Sequence, residues 1–206
     1  MKTIANNHLP ASVLFLSLIL ITLACHRSWA STSDAESTPQ PMIQKPVPLT
    51  LPLKDPAIVI YKEKRQLELH ADGQVVRTYR IGLGFGPVKD KVREGDGRTP
   101  EGEFYVFVKN PRSSYYLSLG ISYPNIEHAD RGLRDGLISK KQHSKIVEAI
   151  RNRKAPPQYT PLGGLIYIHG NGSQSDWTWG CVALENADIK ELFDAVDVGT
   201  TVRIYP

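Results

Sequence analysis

Cys181 and His169 are the two residues of this 206-residue chain best suited to covalent chemistry. A thiol attacks as its thiolate, so it needs a base close by. A neighbouring imidazole takes the proton and stabilises the anion. Both residues fall in one stretch, Ile166 to Leu184, which reads IYIHGNGSQSDWTWGCVAL. An apolar run ends at His169-Gly170 and opens into a polar loop from Asn171 to Asp176. The chain then returns through Trp177-Thr178-Trp179-Gly180 to Cys181. A strand end and a tight glycine turn hold such groups rigidly, and backbone N–H groups near Gly180 and Cys181 are placed to receive an oxyanion.

The residues alone leave a plainer reading open, in which Cys181 is a buried small hydrophobe and His169 a satisfied structural histidine. The order along the chain separates one rival, because papain-like enzymes place the cysteine first. Only two cysteines are present, Cys25 and Cys181. After the processing expected below, Cys181 has no disulfide partner in its own chain, an awkward feature in an exported protein unless the thiol works or is buried.

The elements that must position this pair begin after an export leader. Residues 1–30 read as a signal peptide: Lys2 supplies the positive start, Val13 to Leu23 is nearly all apolar, and small residues follow. The run is short for a bilayer span. Ser28-Trp29-Ala30 offers a cleavage site that would start the mature chain at Ser31. Leu23-Ala24-Cys25 is a rival lipoprotein box, with Cys25 as the lipid-bearing residue. An exported protein, periplasmic or associated with the cell envelope, is the expectation. Residues 31–56, rich in Ser, Thr, Pro and Gln, read as a disordered linker.

Residues 57–205 carry the pattern of one folded domain. Period-two hydrophobicity predicts strands at Ala57 to Tyr61, Gln66 to His70, Val75 to Ile81, Gly102 to Val108, Tyr116 to Ile121, Leu165 to His169 and Thr201 to Tyr205, with a hairpin turn at Asp72-Gly73. Helical spacing appears at Lys140 to Arg151 and Asn186 to Val196. The fold class is therefore mainly β, a sandwich or partly open barrel with short helical insertions. The formal charge of +4 falls to 23 basic against 21 acidic residues once Lys2 and Arg27 leave with the leader, too little to argue for nucleic acid. No histidine spacing suggests a metal, Gly82 to Gly86 precedes a proline and not a helix, and no cofactor is expected.

Four segments in order resemble the L,D-transpeptidase catalytic domain (YkuD type). His169-Gly170 followed by Thr178-Trp179-Gly180-Cys181 is similar to its histidine and Ser/Thr-x-Gly-Cys turn. Gly97-Arg98-Thr99-Pro100-Glu101-Gly102 is similar to its Thr-Pro-x-Gly turn, although turn chemistry alone explains that stretch as structural. Ile121 to Asn125 and Pro156 to Gly164 resemble the branch whose cysteine turn reads Asp-Trp-Thr-x-Gly-Cys-Ile/Val-Ala-Leu. The resemblance covers about Ala57 to Tyr205.

The resemblance implies a cysteine acyltransferase that attacks the L-centre to D-alanine bond of a peptidoglycan stem peptide and forms a thioester on Cys181. It implies His169 as base, Gly170 as the carbonyl that orients it, and Gly180 and Thr178 as oxyanion or orienting groups. Tyr123 becomes a substrate contact, and Asn125, Trp177 and Trp179 neighbours of the cleft. Asp176 is a weaker candidate to orient His169. One departure is Ala183, where many members carry an arginine two residues past the cysteine; another is a short loop between His169 and Thr178. A hydrolase of the same fold and a catalytically silent wall-binding module are the alternatives. A sortase-like enzyme fits less well, because its turn ends Thr-Cys with an arginine soon after.

Overall fold

The computed structural model describes residues 47–206. The leader over residues 1–30, Cys25 and the linker as far as residue 46 lie outside the described residues. Residues 47–56, expected as part of the disordered linker, instead lie on the domain: Leu49 and Leu53 pack against its core, and the Asp72 N–H donates to the Lys54 carbonyl at 2.8 Å. Two apolar side chains among the prolines are enough to hold this end down.

Strands β1 (Ala57–Tyr61), β2 (Gln66–Ala71) and β3 (Gln74–Arg80) form an antiparallel meander. In β2 the alternation is direct, with Leu67 and Leu69 fully buried between less buried Gln66, Glu68 and His70. Asp72 and Gly73 both have positive φ, 49° and 75°, the twist a two-residue hairpin requires. Next come β4 (Gly102–Ser113), β5 (Tyr116–Ile121), β6 (Tyr167–His169), β7 (Val182–Ala183) and β8 (Thr201–Tyr205). The eight strands form one curled sheet in the order β3-β2-β1-β8-β4-β5-β6-β7. Strand β8 lies parallel to β1 and antiparallel to β4, so it joins the two halves of the sheet. The edges curl toward each other: Gly82, just past β3, exchanges two hydrogen bonds with Ala183 of β7, at 2.9 and 2.8 Å. The result is a half-barrel whose core runs from Ile58 and Ile60 through Phe104, Val106 and Ile121 to Ile168 and Val182.

Three helices complete the domain. Helix α1 (Ile126–Arg134) and helix α2 (Lys140–Arg151) enclose a small second core of Ala129, Ile138, Ile146 and Leu162. Helix α3 (Asn186–Ala195) buries Ile189 and Leu192 in the main core. Ser139 starts α2 with a capping box, its hydroxyl accepting from Gln142 N and the Gln142 side chain accepting from Ser139 N.

The expected strands and both expected helices form within a residue or so, with four differences. Helix α1 is additional; its inward face is His128, Ala129 and Gly132, too polar and small for a hydrophobic stripe. Strand β7 is two residues long, below any periodic signal. Strand β4 runs on to Ser113, because it bends through two bulges and pairs first with β8 and then with β5. Strand β6 starts at Tyr167, since Leu165 adopts a left-handed φ of 54° that ladder pairing does not accept.

Candidate active site

Strands β6 and β7 are parallel, with Ile168 opposite Val182 and His169 opposite Ala183. This register sets Cys181, one residue ahead of β7, level with Tyr167, and places His169 two residues farther along β6. Residues two apart share a face of a strand, so the tyrosine and the histidine point the same way. Cys181 and His169 accordingly line one cavity of about 500 Å³.

His169 is held in one tautomer. Its Nδ1 lies 2.8 Å from the Gly170 carbonyl oxygen. A carbonyl only accepts, so Nδ1 carries the proton, and the neutral ring keeps its lone pair on Nε2, as a general base requires. Burial pushes the imidazole below its ordinary pKa, against the opposite pull of the Gly170 carbonyl. Tyr115 and Trp177 supply much of that burial, with ring centroids 4.6 and 5.5 Å from the imidazole. Gly170 has no room for a side chain, since a Cβ there would meet Asn186 Oδ1 at 2.5 Å and the Tyr115 carbonyl at 2.9 Å. Its N–H donates to that same Tyr115 carbonyl at 3.0 Å, tying the base to the β4–β5 hairpin.

Cys181 Sγ accepts the Tyr167 N–H at 3.4 Å and donates to the Leu165 carbonyl at 3.5 Å. Burial pushes the thiol up to about 11, although the Tyr167 N–H and the charge of Lys91 both pull it down. At neutral pH the pair is therefore thiol and neutral imidazole. No hydrogen bond joins Sγ to His169 among the described residues, and such catalytic contacts tighten when substrate binds.

Thr178 and Gly180 build the turn. Thr178 Oγ1 donates to the Cys181 carbonyl at 2.8 Å and accepts the Gly180 N–H at 3.1 Å. Gly180 has φ of 124°, and a Cβ there would lie 2.6 Å from the Arg98 carbonyl oxygen. The Gly180 N–H, expected as an oxyanion donor, is thus already used inside the turn, and Thr178 and Gly180 shape the turn that carries Cys181. The Cys181 N–H has no acceptor among the described residues and is the donor left for an oxyanion. Beneath the turn, Thr99 is fully buried and its Oγ1 accepts the Gly84 N–H at 3.1 Å, so the Gly97–Gly102 segment packs under the cysteine turn as a structural element.

Other expectations need correction. Tyr123 is fully buried, its hydroxyl donating to the Leu162 carbonyl at 2.8 Å, so it is a packing residue and no substrate contact. Asn125 caps helix α1 and is also away from the cavity. The cleft role comes from the resemblance alone; the residues themselves read as packing. Asp176 does not orient His169; it forms a two-pronged pair with Arg65, at 2.7 to 3.1 Å, and accepts the Leu83 N–H at 2.9 Å. Ala183 is fully buried in the sheet, so its position offers no access to the cavity. Trp177 and Trp179 do line it, together with residues the sequence did not single out: Asn110, Arg112, Ser113, Ser114, Tyr115, Ser118, Leu165 and Tyr167. Tyr167 was within reach of sequence reasoning, two places before His169 in a strand; the hairpin residues carry no local signal.

Similarity to known proteins agrees with this arrangement. The model of the L,D-transpeptidase catalytic domain (YkuD) matches residues 55–204. The putative L,D-transpeptidase YafK of Escherichia coli (strain K12) is 28% identical over 163 residues, covering 72% of this chain and 53% of YafK. The chain thus spans about half the length of the curated relatives it matches. In fold it is similar to the helical cell shape determining protein Pgp2 (K307A mutant) from Campylobacter jejuni, with a TM-score of 0.50 and 24% identity over 74% of this chain and 47% of Pgp2. With a match across most of its length and a histidine and cysteine facing one cavity, the chain belongs to the L,D-transpeptidase catalytic domain family.

Proposed function

We propose that the domain is an exported cysteine acyltransferase that cross-links or remodels peptidoglycan through its stem peptides. The observation that carries this reading is the shared cavity of Cys181 and His169, with the imidazole fixed by Gly170 so that Nε2 is the basic nitrogen. His169 takes the thiol proton as Sγ attacks the carbonyl carbon before the terminal D-alanine. The oxyanion meets the Cys181 N–H. The C–N bond breaks, the proton on Nε2 passes to the leaving amine, and a thioester remains. An acceptor amine then attacks that thioester, losing its proton to His169, and Sγ departs.

Retention of both side chains supports a working enzyme over a silent wall-binding module. Transfer and hydrolysis share every step up to the thioester, and the acceptor that arrives first decides between them. Defined muropeptides incubated with the purified protein and weighed by mass spectrometry test the reading. Cross-linked dimers should accumulate with excess diaminopimelate-bearing acceptor, and intact protein should gain the mass of an acyl group at Cys181. Shortened stems at every acceptor concentration would assign the second half-reaction to water, and no acyl-enzyme with any stem would overturn the proposal. Export, with a mature start at Ser31 or a lipid on Cys25, is read by terminal sequencing. No helix among the described residues is long and apolar enough to cross a membrane.

A further inference from the structure

The cavity around Cys181 and His169 is lined by Arg112 and by no carboxylate. We propose that Arg112 is the specificity residue that anchors a carboxylate of the donor stem, an inference that rests on the acyl-transfer reading above.

Arg112 differs from Lys62, Lys91 and Arg65, which are held by protein carboxylates elsewhere in the domain. Lys62 is buried and donates to Glu101, to the Thr99 carbonyl and to the Lys89 carbonyl at 2.6 to 3.0 Å. Lys91 is buried against Asp96 at 2.7 Å, and Arg65 is held by Asp176. Each of those charges is already spent on a protein acceptor. The Arg112 side chain is exposed, and its guanidinium has no acceptor among the described residues. Its backbone is nevertheless fixed. The Arg112 N–H donates to Asn110 Oδ1 at 2.9 Å, at the irregularity where β4 turns into the β4–β5 hairpin.

The same hairpin carries Tyr115, stacked on His169, so an anion held by Arg112 lies on the imidazole side of the cavity. Ser113 and Ser114 lie between the two in sequence and bring hydroxyl groups to the same wall. A planar guanidinium fork matches a carboxylate with two parallel hydrogen bonds, and stem peptides carry carboxylates on residues flanking the bond to be broken. Ala183, where many relatives have their arginine, is sealed inside the sheet and cannot supply this contact. Arg112 lines the cavity from the β4–β5 hairpin.

The test compares acylation of Cys181 by a donor tetrapeptide with acylation by the same peptide amidated at every carboxylate, in the wild type and in Arg112→Gln and Arg112→Lys. Arg112→Gln should raise KM for the charged donor about tenfold, the size expected for losing one partly exposed charge-assisted pair. The loss should be confined to that donor. Arg112→Lys should recover only part of it, since an ammonium keeps the charge without the fork. Alkylation of Cys181 by iodoacetamide and the melting temperature check that the thiol and the fold are intact. Equal losses on both donors, or none on either, would overturn the assignment of Arg112. A wild-type protein that is alkylated but is acylated by neither donor would instead overturn the acyl-transfer reading.

Discussion

Tyr115 is stacked on His169, with ring centroids 4.6 Å apart and planes 28° from parallel. The tyrosine is 45% exposed, whereas the histidine beneath it is 3% exposed. A residue at a hairpin tip therefore keeps water from the His169 ring, and burial is the main cause of the lowered imidazole pKa.

Tyr115→Ala should raise that pKa toward its ordinary value, because it returns water to the ring while the backbone carbonyl of residue 115 still holds Gly170. More of the base is then protonated at a given acidic pH. The acidic limb of the rate profile should move to higher pH, with a larger fractional loss at pH 5.5 than at pH 7.5. The same depressed pKa means that the folded state binds fewer protons than the unfolded chain. Its stability contribution is present above about 6.5 and falls as pH drops below that value.

The Cys181 thiol has the opposite linkage. Its pKa is raised to about 11 from an ordinary value of 9.0, so the folded state holds a proton that the unfolded chain has lost between those limits. Stability from this group is full below pH 9 and declines as pH rises toward 11. Urea melts at pH 8 and pH 10.5 should show a smaller alkaline loss in Cys181→Ala than in the wild type. The same variant should lose turnover by a factor on the order of 10⁴ or more.

Asp176 belongs to the scaffold of the loop between His169 and Cys181. Asp176→Ala removes the pair with Arg65 and the acceptor for Leu83 N, and should cost about 1–3 kcal/mol in urea melts. Asp176→Asn keeps an oxygen for Leu83 N and should cost less. If Asp176 oriented the base directly, Asp176→Asn would shift the acidic limb of the rate profile; positioned against Arg65, it should leave that limb in place.

Thr178→Val removes the hydroxyl that joins the Gly180 N–H to the Cys181 carbonyl while keeping the side-chain shape. The cysteine turn should loosen, with a stability loss of about 1–2 kcal/mol by thermal melting. Turnover should fall more than tenfold, because a small misplacement of an attacking group is costly.

How much of this was legible in the sequence depends on the range of the interactions. The meander of β1 to β3 was readable because Leu67 and Leu69 alternate with polar residues and Asp72-Gly73 makes a two-residue turn. Cys181 and His169 were readable because one loop carries both. Tyr123 reads as packing from the residues alone and becomes a cleft residue only through the family resemblance; in the fold it packs, its hydroxyl seated on Leu162. Tyr115 and Arg112 were overlooked for a different reason. Their place at the cavity comes from β5 pairing with β6, Ser118 opposite His169, which brings a distant hairpin over the histidine. Nothing within either segment announces that meeting.

The place of β8 in the sheet has a consequence for timing. Among the described residues, Thr201–Tyr205 is the strand that pairs with both β1 and β4, so it couples the meander to the half that carries Cys181. Until those five residues are available, the ladder has a gap at its centre, and the seam between Gly82 and Ala183 must close without it. A growing chain that has already made Cys181 therefore still lacks the strand that completes the framework around its thiol. Order around Cys181 thus waits on a segment that follows it in the chain.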